Sequence, residues 1–131
     1  MDKKIYGRVS ENLPATIVNE DGIELHVTAV DTAGDSVNIL CNLYQRDAIA
    51  PGGRFLVGGR PVQLSINLRL PDEEGKDAPF QAKCHIAFSR RLSKEQCMIS
   101  MRYIDIESQS LVRLVRYLKK SAGLNEAHWP I

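Results

Sequence analysis

The sequence predicts a mainly β protein, a small antiparallel barrel of about six or seven strands with a C-terminal amphipathic α-helix. Two periodicities lead there. Apolar residues recur at every second position in several short runs separated by turn-forming residues, and from Ser108 onward they recur at helical spacing instead. A third observation sets the size: 131 residues with 44% apolar and 25% charged side chains have the ordinary composition of one globular core. Disorder, collagen and coiled coil gain no support from it.

The first two runs, residues 13–18 and 23–30, flank Asn19-Glu20-Asp21-Gly22, whose Asp-Gly step suits a tight hairpin turn with positive φ. In the second run Ile23, Leu25 and Val27 alternate with Glu24, His26 and Thr28, the pattern of a strand with one wet face. Val37, Ile39 and Cys41 resume the alternation after a turn at residues 31–36. Between Leu43 and Gly53 the alternation lapses and Pro51-Gly52-Gly53 interrupts the chain, which predicts a loop holding one helical turn. Phe55 and Val57 begin a short strand that Gly58-Gly59 turns into a hairpin. Val62, Leu64, Ile66 and Leu68 then alternate with Gln63, Ser65, Asn67 and Arg69 in the clearest strand of the chain. The acidic, breaker-rich residues 71–79 predict a solvated surface loop. Ala82, Cys84, Ile86 and Phe88 share one side of the following strand, and residues 98–103 form its hairpin partner beyond Ser93-Lys94-Glu95-Gln96. In the helix over residues 108–120, Leu111, Leu114, Val115 and Leu118 face inward, Arg113, Arg116 and Lys120 face solvent, and Gly123 stops the helix.

A net charge of +1 argues against general attraction to DNA, RNA or an anionic membrane, because such binding rests on many neutralised phosphates. Any anion site must be local. The basic N-terminus has no apolar run behind it, so membrane insertion is not expected and a cytoplasmic location is. Cys41, Cys84 and Cys97 are odd in number and share no ligand spacing, which reads as buried free thiols. His26, His85 and His128 lack the company of a metal site, and no nucleophile elbow, phosphate loop or carboxylate pair is present, so neither metal, cofactor nor enzymatic activity is expected. Arg113, Arg116, Lys119 and Lys120 read as the wet side of the helix, Ser89-Arg90-Arg91 as an exposed hairpin tip, and Trp129-Pro130-Ile131 as a tail folded back on the barrel.

The chemistry gathers near the N-terminus. Lys4 and Arg8 are two long cations four residues apart, Leu13-Pro14 begins five residues beyond Arg8, and Asp31-Thr32-Ala33-Gly34-Asp35-Ser36 leads into the third strand. Two such cations can reach two anionic or guanine-like groups of one ligand, while a short acidic residue on the adjoining sheet accepts from a base edge. This arrangement resembles the binding pattern of the PilZ family, in which an Arg-x-x-x-Arg arm precedes a strand and an Asp/Asn-x-Ser-x-x-Gly turn follows. The resemblance spans about residues 4–120, nearly the whole of one domain. It divides the chain into an arm (1–8), a barrel with its helix (9–120) and a tail (121–131). Lys4 stands where the pattern has its first arginine, Ala33 where it has serine, and Ser36 where it has glycine.

The resemblance implies a non-enzymatic bacterial signalling adaptor that binds the second messenger cyclic di-GMP and passes the signal to an unidentified protein partner, with motility or biofilm formation as its output. Lys4, Arg8, Asp31 and Ser36 would hold the ligand. On that reading Arg8 pairs with phosphate and offers its flat guanidinium to guanine, and Asp31 accepts from guanine N1 and N2 hydrogens. Lys4 supplies charge without a planar fork. The alternative function is a ligand-independent interaction module, related to type IV pili or motility, that has lost the nucleotide.

Overall fold

The computed structural model, which describes residues 7–72 and 74–121, turns each alternating run into a strand. The elements are β1 (Val9–Val18), β2 (Glu24–Thr32), β3 (Ser36–Asn42), α1 (Leu43–Ile49), a 3₁₀ turn at Pro51–Gly53, β4 (Leu56–Val57), β5 (Arg60–Pro61), β6 (Leu64–Pro71), β7 (Asp77–Arg91), β8 (Gln96–Ile106) and α2 (Ser108–Ser121). Six strands close into an antiparallel barrel in the order β1-β2-β3-β8-β7-β6, and β4 with β5 forms a separate ribbon. Pairing of β1 with β6, from Ala15 opposite Leu68 to Val18 opposite Ser65, closes the ring. Closure removes the unpaired edges that an open sheet would expose.

The inward rows are the apolar alternations of the sequence: Ala15 and Ile17 on β1, Val37 and Ile39 on β3, Ile66 and Leu68 on β6, Ile99 and Met101 on β8 are all buried. Cys41, Cys84 and Cys97 are buried free thiols among them. At the β1–β2 turn the Asn19 side chain accepts hydrogen bonds from the Asp21 and Ile23 amides at 3.0 and 2.9 Å, and Gly22 takes φ 80°. That side-chain acceptor replaces a strand partner for both amides.

The structure departs from the sequence reading in four places, each for a local reason. Residues 43–49 form a seven-residue helix rather than one turn. Asn42 accepts from the Gln45 amide at 2.7 Å and Gln45 Oε1 accepts from the Asn42 amide at 3.0 Å, a reciprocal cap that fixes the helix start. The loop expected over residues 71–79 is shorter, since residues 71 and 77–79 are strand, with Leu70 opposite Ala78 and Pro71 opposite Asp77. Leu70 extends the inward alternation and is buried, and Asp72 turns the chain by accepting from the Glu74 and Lys76 amides. Pro71 and Pro79 are tolerated because they sit near the hairpin end, where fewer ladder bonds depend on their missing N–H.

Phe88 leaves the inner face. An irregularity between Ile86 and Phe88 breaks the alternation of β7, and Phe88 ends 47% exposed. On α2, Leu114 and Leu118 are fully buried, but Leu111 is 40% exposed and Val115 only half-buried, while Ser110 and Tyr117 face inward. The buried stripe is rotated because polar groups hold it there. Ser110 Oγ accepts from the Gln81 amide at 2.9 Å, and Tyr117 Oη donates to Glu11 Oε1 at 2.6 Å. Gly123 and Trp129 to Ile131 lie outside the described residues. Among the described residues no helix is long and apolar enough to cross a membrane.

Candidate ligand-binding site

Strict alternation after Leu25, Val27 and Ala29 would turn Asp31 into the core. A bulge between Ala29 and Asp31 instead brings Thr32 inward and leaves Asp31 on the outer face, opposite Ser10 on β1 and Asn38 on β3. The carboxylate uses both neighbours: Oδ1 accepts from Ser10 Oγ at 2.7 Å and Oδ2 from Asn38 Nδ2 at 3.3 Å. A carboxylate has about four lone-pair positions, so each oxygen can accept once more. The same row continues through Ser100 on β8 to Phe88 on β7.

The next row starts at the β2–β3 turn. Arg8 Nη2 lies 3.5 Å from Ser36 Oγ, and that hydroxyl donates to Asp35 Oδ1 at 3.2 Å. The turn is tied to the barrel by the Ala33 amide, which donates to the Ser36 carbonyl at 2.9 Å, and by the Tyr103 amide, which donates to the Asp35 carbonyl at 3.0 Å. Burial pushes the Tyr103 phenol well above its ordinary pKa, with Cys84 and Asp35 adding to the shift and Arg8 opposing it. Arg8 and Asp35 thus both act on this end of β8.

Three of the four sequence-predicted ligand residues, Arg8, Asp31 and Ser36, share this outer face. Lys4 lies outside the described residues. Ala33 is only 8% exposed, so its methyl group faces the barrel more than the ligand face. Ser36 does not have the positive φ that would call for glycine, since among the described residues only glycines do. Its hydroxyl has become the link between Arg8 and Asp35.

Three other cationic groups are bound to backbone carbonyls. Arg91 donates to the Ser93 and Lys94 carbonyls at 2.9 and 3.0 Å and caps the β7–β8 turn. Arg113 donates to the Pro79 carbonyl and Lys120 to the Asp72 carbonyl, at 2.8 and 2.7 Å, so part of the basic face of α2 grips the β6–β7 hairpin. A cleft of 520 Å³ lies between that hairpin and α2. A groove of 580 Å³, bordered by His26, Thr28, Leu40 and Gln45, starts one step along the strands from the Asp31 row. Sequence reading missed Ser10, Asn38 and Arg102, the last directly opposite Ser36 on β8. Only strand register brings them to the site.

No family model matches the chain, and no curated protein does. Solved structures do resemble it, two of them as follows. The inhibitor of motility MotI/DgrA of Bacillus subtilis aligns with a TM-score of 0.63 at 17% identity over 88% of this chain and 49% of that one. The PlzA protein of Borreliella burgdorferi, solved in complex with c-di-GMP, aligns with a TM-score of 0.53 at 10% identity over 98% of this chain and 55% of that one. The chain spans about half the length of each. At such identities the likeness is one of fold, and the barrel is PilZ-like.

Proposed function

We propose that this chain is a non-enzymatic, cytoplasmic PilZ-like signalling adaptor that binds cyclic di-GMP on the outer face of β1, β2 and β3 and passes the signal to a protein partner. The observation that carries the reading is the convergence of Arg8, Ser36 and Asp31 on one end of one sheet face, with Arg8 Nη2 3.5 Å from Ser36 Oγ. Arg8 meets a phosphate through charge-assisted hydrogen bonds and covers a guanine with its plane. The free lone pairs of Asp31 accept from guanine N1 and N2 hydrogens, and Lys4 adds charge from the arm. Closure of the arm, residues 1–8, over the nucleotide alters the surface offered to the partner. The c-di-GMP complex of PlzA supports the choice of ligand, and the name of the motility inhibitor supports a motility output.

Calorimetric titration of the purified chain with cyclic di-GMP tests this. Saturable heat that disappears in Asp31→Ala is expected, and no heat at millimolar nucleotide would refute the receptor reading. A second reading, the ligand-independent interaction module, is favoured by one observation: each Asp31 oxygen already has one partner within the protein, Ser10 or Asn38. A silent titration would leave that module standing.

A further inference from the structure

The row that carries Ser36 also carries Arg102. The two residues oppose each other in the β3–β8 ladder, so their Cβ atoms stand about 5 Å apart on the same face. Arg8 already reaches Ser36 from the other side, at 3.5 Å from its hydroxyl. Arg8 and Arg102 are therefore both neighbours of one serine, Arg8 by contact and Arg102 by register. Arg102 is exposed and has no hydrogen bond or ion pair among the described residues, whereas Arg60 is paired with Glu20 and Arg91 and Arg113 are bound to carbonyls.

We infer that Arg102 is the second guanidinium of the nucleotide site, supplied by β8 in place of the arginine that the N-terminal arm lacks at Lys4. The inference rests on the cyclic di-GMP reading. That ligand presents two phosphates and two guanines, and a guanidinium can grip either group with a flat pair of donors, which an ammonium cannot do. An anionic phosphate bound beside Ser36 would draw on both charges. Ser36 suits this geometry better than glycine would, because its hydroxyl accepts from Arg8. The missing arginine of the arm and the unpartnered arginine of β8 then have one explanation.

The test is calorimetric titration of the full chain with cyclic di-GMP in wild type, Arg102→Ala, Arg102→Lys and Arg90→Ala, with thermal melts of each. Arg102→Ala is expected to weaken binding by about tenfold or more. Arg102→Lys should recover only a minor part, because charge returns without the fork. Arg90→Ala, another exposed arginine, opposite Met98 on β7, should bind as wild type does, and all melts should coincide. The dependence of affinity on salt should also become shallower in Arg102→Ala. Wild-type binding with Arg102→Ala within twofold of it would overturn this inference and leave the receptor reading intact. A wild type silent at millimolar nucleotide would overturn both.

Discussion

Replacing Arg8 by alanine separates a binding role from a structural one. In the empty protein Arg8 is exposed, and its contact with Ser36, at 3.5 Å, is at the outer limit of a hydrogen bond. Its contribution to folding is therefore under about 0.5 kcal/mol, and Arg8→Ala should melt within about 2 °C of wild type. Bound to a phosphate, the same group makes charge-assisted hydrogen bonds worth about 1.5–3 kcal/mol, which at about 1.4 kcal/mol per decade is a loss of roughly 10- to 100-fold in affinity. Lys4→Arg should strengthen binding, because it restores a planar fork to the arm. Calorimetry with cyclic di-GMP and circular-dichroism melts give the two numbers. Unchanged affinity in Arg8→Ala would move the site elsewhere, and a drop in melting temperature of many degrees would make Arg8 a structural residue.

Ser36→Gly, which introduces the glycine of the PilZ pattern, should weaken binding rather than improve it, because it deletes the acceptor that contacts Arg8; tighter binding on titration would count against that link. Leu114→Ala should lower unfolding free energy by about 2–5 kcal/mol in urea titrations, and Leu111→Ala by under about 1 kcal/mol, since only the first is buried. Glu20, held by the paired donors of Arg60 and by the Gln63 amide, has its pKa lowered from 4.5 to about 2. A depressed carboxylate stabilises the fold above its unfolded pKa and loses that contribution as pH falls through the folded one. The melting advantage of wild type over Glu20→Gln should therefore vanish between pH 4.5 and 2, and a constant gap would refute it. Burial pushes the Cys84 thiol up to about 12 and the Cys41 thiol to about 11, so alkylation at mild pH should need unfolding; rapid labelling of native protein would contradict this.

The barrel was readable because its inner face is written with a period of two, and the strand ends were readable where a turn has its own chemistry, as at Asn19 to Gly22. Reading failed where a single residue changes the phase. Ile86 and Phe88 belong to one alternating series in the sequence, yet an irregularity between them leaves Phe88 half in solvent, and no residue type announces it. The rotation of α2 is of the same kind. Leu111 and Val115 fit the apolar spacing as well as Leu114 and Leu118 do, and the choice is made by partners distant in sequence, the Gln81 amide and Glu11. The α1 helix is different, because Asn42 and Gln45 carry a capping signal that was present in the sequence and outweighed by the glycines after it.

The site was legible only as far as its residues are neighbours in the chain. Arg8 and the 31–36 turn could be found from a local pattern, while Ser10, Asn38 and Arg102 arrive through register and have no sequence signature. The energetics of the barrel single out the same end. Among the described residues, the buried polar atoms without a partner are Thr32 Oγ1, Asn38 Oδ1, Arg46 Nε, His85 Nε2 and Tyr103 Oη. Four of these five belong to residues in or beside the rows that carry Asp31, Ser36 and Arg102. Each unsatisfied group costs about 1–3 kcal/mol, and the bulge that puts Thr32 inside is the same bulge that puts Asp31 outside. A barrel shaped for stability alone would keep the alternation of β2 and place an apolar residue where Thr32 is. Departures from local consistency that gather in one place are the pattern expected where a fold yields to binding, and here they gather at the end of the barrel that carries Asp31, Ser36 and Arg8.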